Sequence, residues 1–281
     1  MTGPHPGATA LTLAVLAVGT LTGCGSPRPV GGPATVDMIT DSGGYPARRQ
    51  LIDRATERAT STCMAAAGFA WSGFAGEPGP GPGNRARDGY GITAPAVPPP
   101  GNATGGPELA ALIGSPPRRA TLRLPGLAQY TFPDSGCLAE GRAAVAGDTT
   151  AWARLAYLPG ELNKQLSQRV AGDPRLVAAR AAWSGCMAGH GHRYAAPDDI
   201  PAALAGRLRA HPEQRAALHA EETALAGLDA RCNQRTRLSR TELDLRRAAV
   251  PGLGAARLEQ AGELTGLAEA ATVRARKILT R

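Results

Sequence analysis

The sequence predicts an all-α chain: an irregular, disulfide-stapled helical domain with a long Gly/Pro-rich loop, set behind a leader and a flexible tether. Three observations carry this expectation. Apolar residues recur at three- and four-residue spacings within runs of good helix formers, and no segment alternates convincingly as a strand. Four cysteines, Cys63, Cys137, Cys186 and Cys232, follow the one that ends the leader. Aromatic residues make up only 4% of the chain, so a core built from helices of this composition needs covalent help.

The first element is apolar and uncharged from Leu11 to Leu21 and ends at Leu21-Thr22-Gly23-Cys24. A helix needs roughly 20 apolar residues to cross a bilayer, so this run has the length of a signal-peptide core. Leu-Thr-Gly-Cys resembles a bacterial lipobox, in which the cysteine thiol becomes a diacylglycerol thioether before cleavage. The resemblance implies a signal peptide over 1–23 and lipidation of Cys24 by acyl chains such as palmitate. It places the chain on the cell membrane, lipid-anchored at the extracytoplasmic face. One feature departs from the pattern, because only the terminal amine and His5 precede the apolar core, with no Lys or Arg. A single acyl chain binds membranes marginally and two or more bind stably, so the anchor holds without a basic patch.

Residues 24–44 are mostly small, polar or Pro and read as a lipidated Cys followed by a flexible tether. A helical domain is then expected over 45–281, made of two related halves at about 45–147 and 148–281. Its first helix runs from Pro46 to about Ala67, with Leu51, Ile52, Ala55, Ala59, Cys63 and Ala66 on its apolar spacing, Pro46 in the first turn and Gly68 at the stop. Gly and Pro then dominate 76–107, a loop composition, and a loop this long is usually functional or disordered. Asn102-Ala103-Thr104 within it is read as a chance match to a glycosylation acceptor.

Short helices are expected at Pro116 to Arg123 and Ser135 to Ala146. Further starts are marked by Asp148, by Asp173-Pro174, by Asp199 to Pro201, by Pro212, and by the capping-box pattern Ser239 to Glu242. The last helix, about Gly254 to Leu279, carries Leu258, Ala261, Leu264, Leu267, Ala271 and Ile278 along one stripe, expected to pack on other helices of the same chain.

Four cysteines in an exported chain imply disulfides, and four allow three pairings. An internal repeat chooses among them. Ala59-x-Ser61-x-Cys63-Met64-Ala65-x-x-Gly68-x-x-Trp71 aligns without gaps on Ala182-x-Ser184-x-Cys186-Met187-Ala188-x-x-Gly191-x-x-Tyr194. Each copy is followed by a loop and then by Asp-x-x-Cys, at Asp134 to Cys137 and at Asp229 to Cys232. Two similar halves each close on themselves, which predicts Cys63–Cys137 and Cys186–Cys232.

In this pattern the chain resembles a group of uncharacterised actinobacterial lipoproteins and secreted proteins with paired Cys-Met-x-x-x-Gly motifs. The matching pieces are Cys63 to Phe69, Tyr90-Gly91-Ile92, Gly136 to Glu140, Trp183 to Met187, and Ala226 to Cys232. His192 stands where the group usually has Tyr or Phe. The resemblance implies architecture and adds no chemistry.

The net charge of +8 lies entirely downstream of residue 23. Outside the cell this makes nucleic acid an unsuitable partner, and it fits anionic lipid headgroups or wall polymers through salt-sensitive attraction. Only two of the 31 basic residues are Lys, which points to a GC-rich genome and to a solvated Arg-rich surface as the simpler reading. His190 and His192, close to Cys186, are weak candidates for metal ligands. His211 and His219 read as solvated or packed. Glu221-Glu222 and Asp198-Asp199 are adjacent in sequence and so point in different directions on a helix, which gives no catalytic pair.

No nucleophile elbow, His-Glu-x-x-His or phosphate-cradling Gly-rich motif is present in the sequence. The expectation is a non-enzymatic, cofactor-free envelope lipoprotein that binds or scaffolds another component, an envelope protein or an anionic wall polymer. The alternative is a small-ligand or metal-binding lipoprotein serving a membrane transporter.

Overall fold

The computed structural model describes residues 1–3, 32–71, 73, 89–93, 106–124 and 126–281. The apolar segment 11–21, Cys24 and Asn102-Ala103-Thr104 lie outside them, as does most of the 76–107 stretch. Among the described residues the chain forms helices α1 (Pro33–Ile39), α2 (Tyr45–Ala66) and α3 (Gly106–Ile113), then strands β1 (Arg119–Arg123) and β2 (Gln129–Pro133). Helices α4 (Gly136–Ala146), α5 (Thr149–Val170), α6 (Pro174–Gly189), α7 (Asp199–Ala210), α8 (Arg215–Thr236), α9 (Leu238–Ala249) and α10 (Ala255–Leu279) follow. Single 3-10 turns at Pro212–Gln214 and Val250–Leu253 lead into α8 and α10. The fold is all-α, stapled by two disulfides.

Helix starts follow side-chain chemistry at two of the expected positions. Asp148 accepts from the Ala151 amide at 2.6 Å and Asp173 from the Arg175 amide at 2.9 Å, each satisfying an orphan donor of the first turn. The box expected at Ser239 to Glu242 does not form. Helix α9 begins two residues earlier, at Leu238 after Arg237 in the left-handed region at φ 57°. The Asn233 side-chain oxygen takes the Ser239 amide at 3.0 Å, so a residue six positions upstream supplies the cap.

Two further expectations are corrected. Residues 33–44 are not tether: α1 turns Met38 and Ile39 into the core, where both are essentially inaccessible, and Thr35 hydrogen bonds Thr265 of α10 at 3.0 Å. The segment expected as a helix at 116–123 instead gives β1, paired antiparallel with β2 in the register Arg119↔Pro133, Thr121↔Thr131, Arg123↔Gln129. Ala120, Leu122 and Leu124 turn inward with Tyr130 and Phe132 while Arg119, Thr121 and Arg123 face solvent, the period of two that defines a half-buried strand. Tyr130 stacks on Tyr157 of α5 with ring centroids 3.9 Å apart, which lays the hairpin on that helix.

The halves 45–147 and 148–281 do not each own a core. The largest cluster joins α1, α2, the hairpin and α4 to α5 and α10, so the last helix of the second half closes the core of the first. Its contact face is mostly small: Ala261, Ala268, Ala271 and Ala275 are fully buried, with Leu258 and Leu264 beside them. Leu267 and Ile278 of the expected stripe are partly buried against the same cluster. A second cluster is built by the end of α5 with α6, α7, α8 and α9 around Trp183, Met187 and Leu204. A third, small one holds Met64, Trp71, Leu112 and Leu138 around Cys137.

Packing of α4 on α2 depends on Gly141. A Cβ there collides with the Thr60 hydroxyl and stands 2.9 Å from the Thr60 nitrogen and 3.0 Å from the Thr56 carbonyl. Backbone cannot yield as a side chain does. Gly141→Ala is expected to destabilise by about 1 to 3 kcal/mol through overpacking, read as a lower urea midpoint. An unchanged midpoint means that the α2–α4 contact is looser than these distances require.

Candidate functional site

Both copies of the internal repeat end a helix in the same way, and the geometry explains the motif residue by residue. The Ser61 hydroxyl donates to the Trp71 carbonyl at 3.1 Å, and the Ser184 hydroxyl donates to the Tyr194 carbonyl at 2.6 Å. The amides of Phe69 and His192 donate to the carbonyls of Met64 and Met187 at 2.9 and 3.1 Å. The intervening Gly68 and Gly191 sit at φ +87° and +85°, where a side chain is strained. Met64 and Met187 are fully buried. The cysteine just before each Met is bridged, Cys63 to Cys137 across 74 residues and Cys186 to Cys232 across 46.

The repeat is therefore a helix-stop unit that turns the chain back under its own helix, and the bridge fixes the turn. His190 and His192 belong to this turn: His190 is the exposed C-cap of α6, and His192 supplies a backbone donor. Among the described residues no group of three or more His, Cys, Asp or Glu side chains is placed to hold a metal ion. His211 lies 3.3 Å from Glu213 on the surface.

The most elaborate polar assembly lies on α8. Arg215, His219, Glu222, Ala226 and Asp229 follow each other at spacings of four, three, four and three, so they share one face of the helix. That face receives the segment 89–93. Glu222 is buried, and one carboxylate oxygen accepts the amides of Tyr90 at 2.7 Å and Ile92 at 2.8 Å. The other accepts the Thr93 amide at 2.9 Å together with the Thr93 hydroxyl. Thr93 also meets His219 Nδ1 at 2.9 Å, and its carbonyl accepts from Arg215.

Asp229, equally buried, accepts the Tyr90 hydroxyl and the Trp183 indole N–H, each at 2.9 Å. Gly89 is required here, because at φ +73° a Cβ stands 2.9 Å from the Glu222 side chain. Burial pushes the Glu222 carboxyl up. The hydrogen bonds from the Thr93 hydroxyl and from the amides of Ile92, Thr93 and Tyr90 more than offset that and hold it below the ordinary carboxyl range. A carboxylate so satisfied stays ionised and acts as a clamp on peptide N–H groups.

Three sequence pieces that stand far apart, Tyr90-Gly91-Ile92, Trp183 to Met187 and Ala226 to Cys232, thus converge on one carboxylate pair and one disulfide. Glu221 and Glu222 do diverge as adjacent helical residues must: Glu221 pairs with Arg207 on the surface. Sequence reasoning missed Glu222 by considering it only beside Glu221. The available signal was the three- and four-residue spacing of Arg215, His219, Glu222 and Asp229, a polar stripe on a helix that must also bury Leu218, Leu225 and Leu228.

A cavity of about 150 Å³ lies between α2 and α5, lined by Tyr45, Ile52, Trp152 and Leu155 with Arg49 and Asp53 at its edge. Burial raises the Tyr45 hydroxyl to about 12, so it stays protonated. No helix among the described residues is long and apolar enough to cross a membrane. Compared with known proteins, the chain matches no family model, no curated protein and no solved structure.

Proposed function

We propose that the chain is a non-enzymatic lipoprotein of the bacterial cell envelope, anchored through Cys24 to the extracytoplasmic face of the membrane, that works by binding another envelope component. The single observation that carries the binding reading is the clamp on residues 89–93. It holds Gly89 to Thr93, which interrupt a Gly/Pro-rich sequence, against the helical frame, and a segment already ordered pays less entropy when a partner binds it. The frame itself is cross-linked by bonds that persist in oxidising compartments, which supports export. Cys63, Cys137, Cys186 and Cys232 are engaged in bridges, and Glu222 and Asp229 in hydrogen bonds to the held segment.

Chemical cross-linking in whole cells followed by purification from membranes tests this reading. The wild-type chain is expected to recover a reproducible envelope partner, and Glu222→Gln at equal abundance to recover several-fold less. Absence of any reproducible partner, or equal recovery with both chains, overturns it.

A further inference from the structure

Helices α2 and α10 meet through small residues, since Ala55, Ala268, Ala271 and Ala275 are all fully buried. Close approach of the two backbones leaves the longer side chains standing on either side of the seam. The result is an open groove of about 520 Å³ with Arg48 and Arg54 on one wall, Arg276 and Glu269 on the other, and Leu51 and Val273 along it. Three guanidiniums thus face one carboxylate.

Several arginines outside the groove are paired, Arg154 with Glu263, Arg207 with Glu221, Arg240 with Asp244 and Arg247 with Asp37. Arg48, Arg54 and Arg276 make no side-chain hydrogen bond or ion pair with the described residues. Guanidinium groups lining one groove suit the oxygens of a phosphate, which they grip bidentately. Val273 is 53% exposed, one of few large apolar side chains left open to solvent. A ligand that is anionic at one end and carbon-rich beside it matches both features.

The place of the groove in the chain says where such a ligand comes from. Helix α1 begins at Pro33, and the eight residues between it and Cys24 span at most about 30 Å at full extension. Thr35 is hydrogen-bonded to Thr265, and Arg276 lies eleven residues further along the same helix, roughly 16 Å away at the helical rise. Gly44, at the other end of the short link from α1, lines the groove itself. Once Cys24 sits in the membrane, the groove is within tether reach of the headgroup layer.

We propose that the groove between α2 and α10 binds the phosphodiester headgroup of an anionic phospholipid through Arg48, Arg54 and Arg276. This deepens the anchored reading and rests on it for the source of the ligand. Lipid capture then orients the domain, with the α2–α10 face toward the bilayer.

The test uses the protein purified in non-ionic detergent, titrated with phosphatidylglycerol or with zwitterionic phosphatidylcholine and read by native mass spectrometry. One phosphatidylglycerol adduct per chain is expected. Each of Arg48→Gln, Arg54→Gln and Arg276→Gln is expected to weaken it about fivefold, and the triple change about a hundredfold, at unchanged melting temperature. Glu269→Gln, which removes the opposing carboxylate, strengthens it a few-fold. Equal binding of both lipids, or an adduct that survives the triple change, overturns the proposal. Displacement by inorganic phosphate or glycerol phosphate at concentrations matching the lipid overturns the membrane source in favour of a soluble or wall-polymer phosphodiester. The same spectra weigh the chain itself. An acylated Cys24 without an adduct refutes the groove alone, and an unacylated chain refutes the anchor alone.

Discussion

Replacing Cys186 and Cys232 together by Ala is expected to lower stability by about 4 kcal/mol, a fall in melting temperature of roughly 8 to 16 °C for a domain of this size. The chain-entropy argument sets the scale from the 46 residues between the two cysteines. The 74-residue separation of Cys63 and Cys137 adds only about 0.4 kcal/mol to that, because the dependence on loop length is logarithmic. The two bridges differ instead in what they release. Cys63–Cys137 holds the small cluster of Met64, Trp71, Leu112 and Leu138, so its loss is expected to expose the amides of α3 and of the α2 stop to exchange while α6 and α8 stay protected. Cys186–Cys232 joins α6 to α8 directly beside Trp183 and Met187, so its loss loosens the second core and the clamp on 89–93 with it. Hydrogen exchange on the two double variants separates these patterns. A chain with all four cysteines changed to Ala that melts with the wild type would refute the stapled frame.

What the sequence conveyed, and what it withheld, divides along physical lines. The long helices were legible because a 3.6-residue period repeats many times over 22 residues in α2 and 25 in α10, and because Asp148 and Asp173 cap locally. The bridges were legible because the repeat places two cysteines in one local geometry, and local geometry is what a short motif encodes. The hairpin was not, since five residues per strand give too few alternations to outweigh Arg and Leu, both good helix formers. Its inward side is decided across the fold, where Tyr130 stacks on Tyr157 and Phe132 meets Trp152 edge to face. Helix α1 was hidden for the same reason: seven residues of Pro, Ala, Thr, Val, Asp, Met and Ile carry no persuasive period, and only packing against α2, α5 and α10 together makes burial of Met38 and Ile39 worthwhile. The clamp was half visible. Its helix carries a spaced polar stripe, but the groups that satisfy Glu222 are backbone amides some 130 residues away, and no side-chain pattern announces an amide.

Glu222→Gln is expected to destabilise by about 3 kcal/mol, roughly 6 to 12 °C in melting temperature, and to flatten the response to acid. The amide keeps the shape but offers one acceptor oxygen where the carboxylate offers two, so part of the four-donor set around 89–93 is left facing an N–H₂ group. For the acid response, the folded carboxyl lies below its unfolded value, so the unfolded chain takes up the proton first. The stabilisation from Glu222 is therefore complete above the unfolded value of about 4.3 and is lost as pH falls below it through the folded value. Asp53 and Glu57 on α2, raised first by burial, act in the opposite direction, and Asp173, lowered by its bonds to Arg175, acts in the same one. All three are common to both chains, so the difference between wild type and variant isolates Glu222. Urea midpoints taken between about pH 3 and pH 7 are expected to converge at the acid end and to separate as pH rises through about 4. Parallel profiles would mean that Glu222 does not hold residues 89–93 as a carboxylate, and the clamp would then be no clamp.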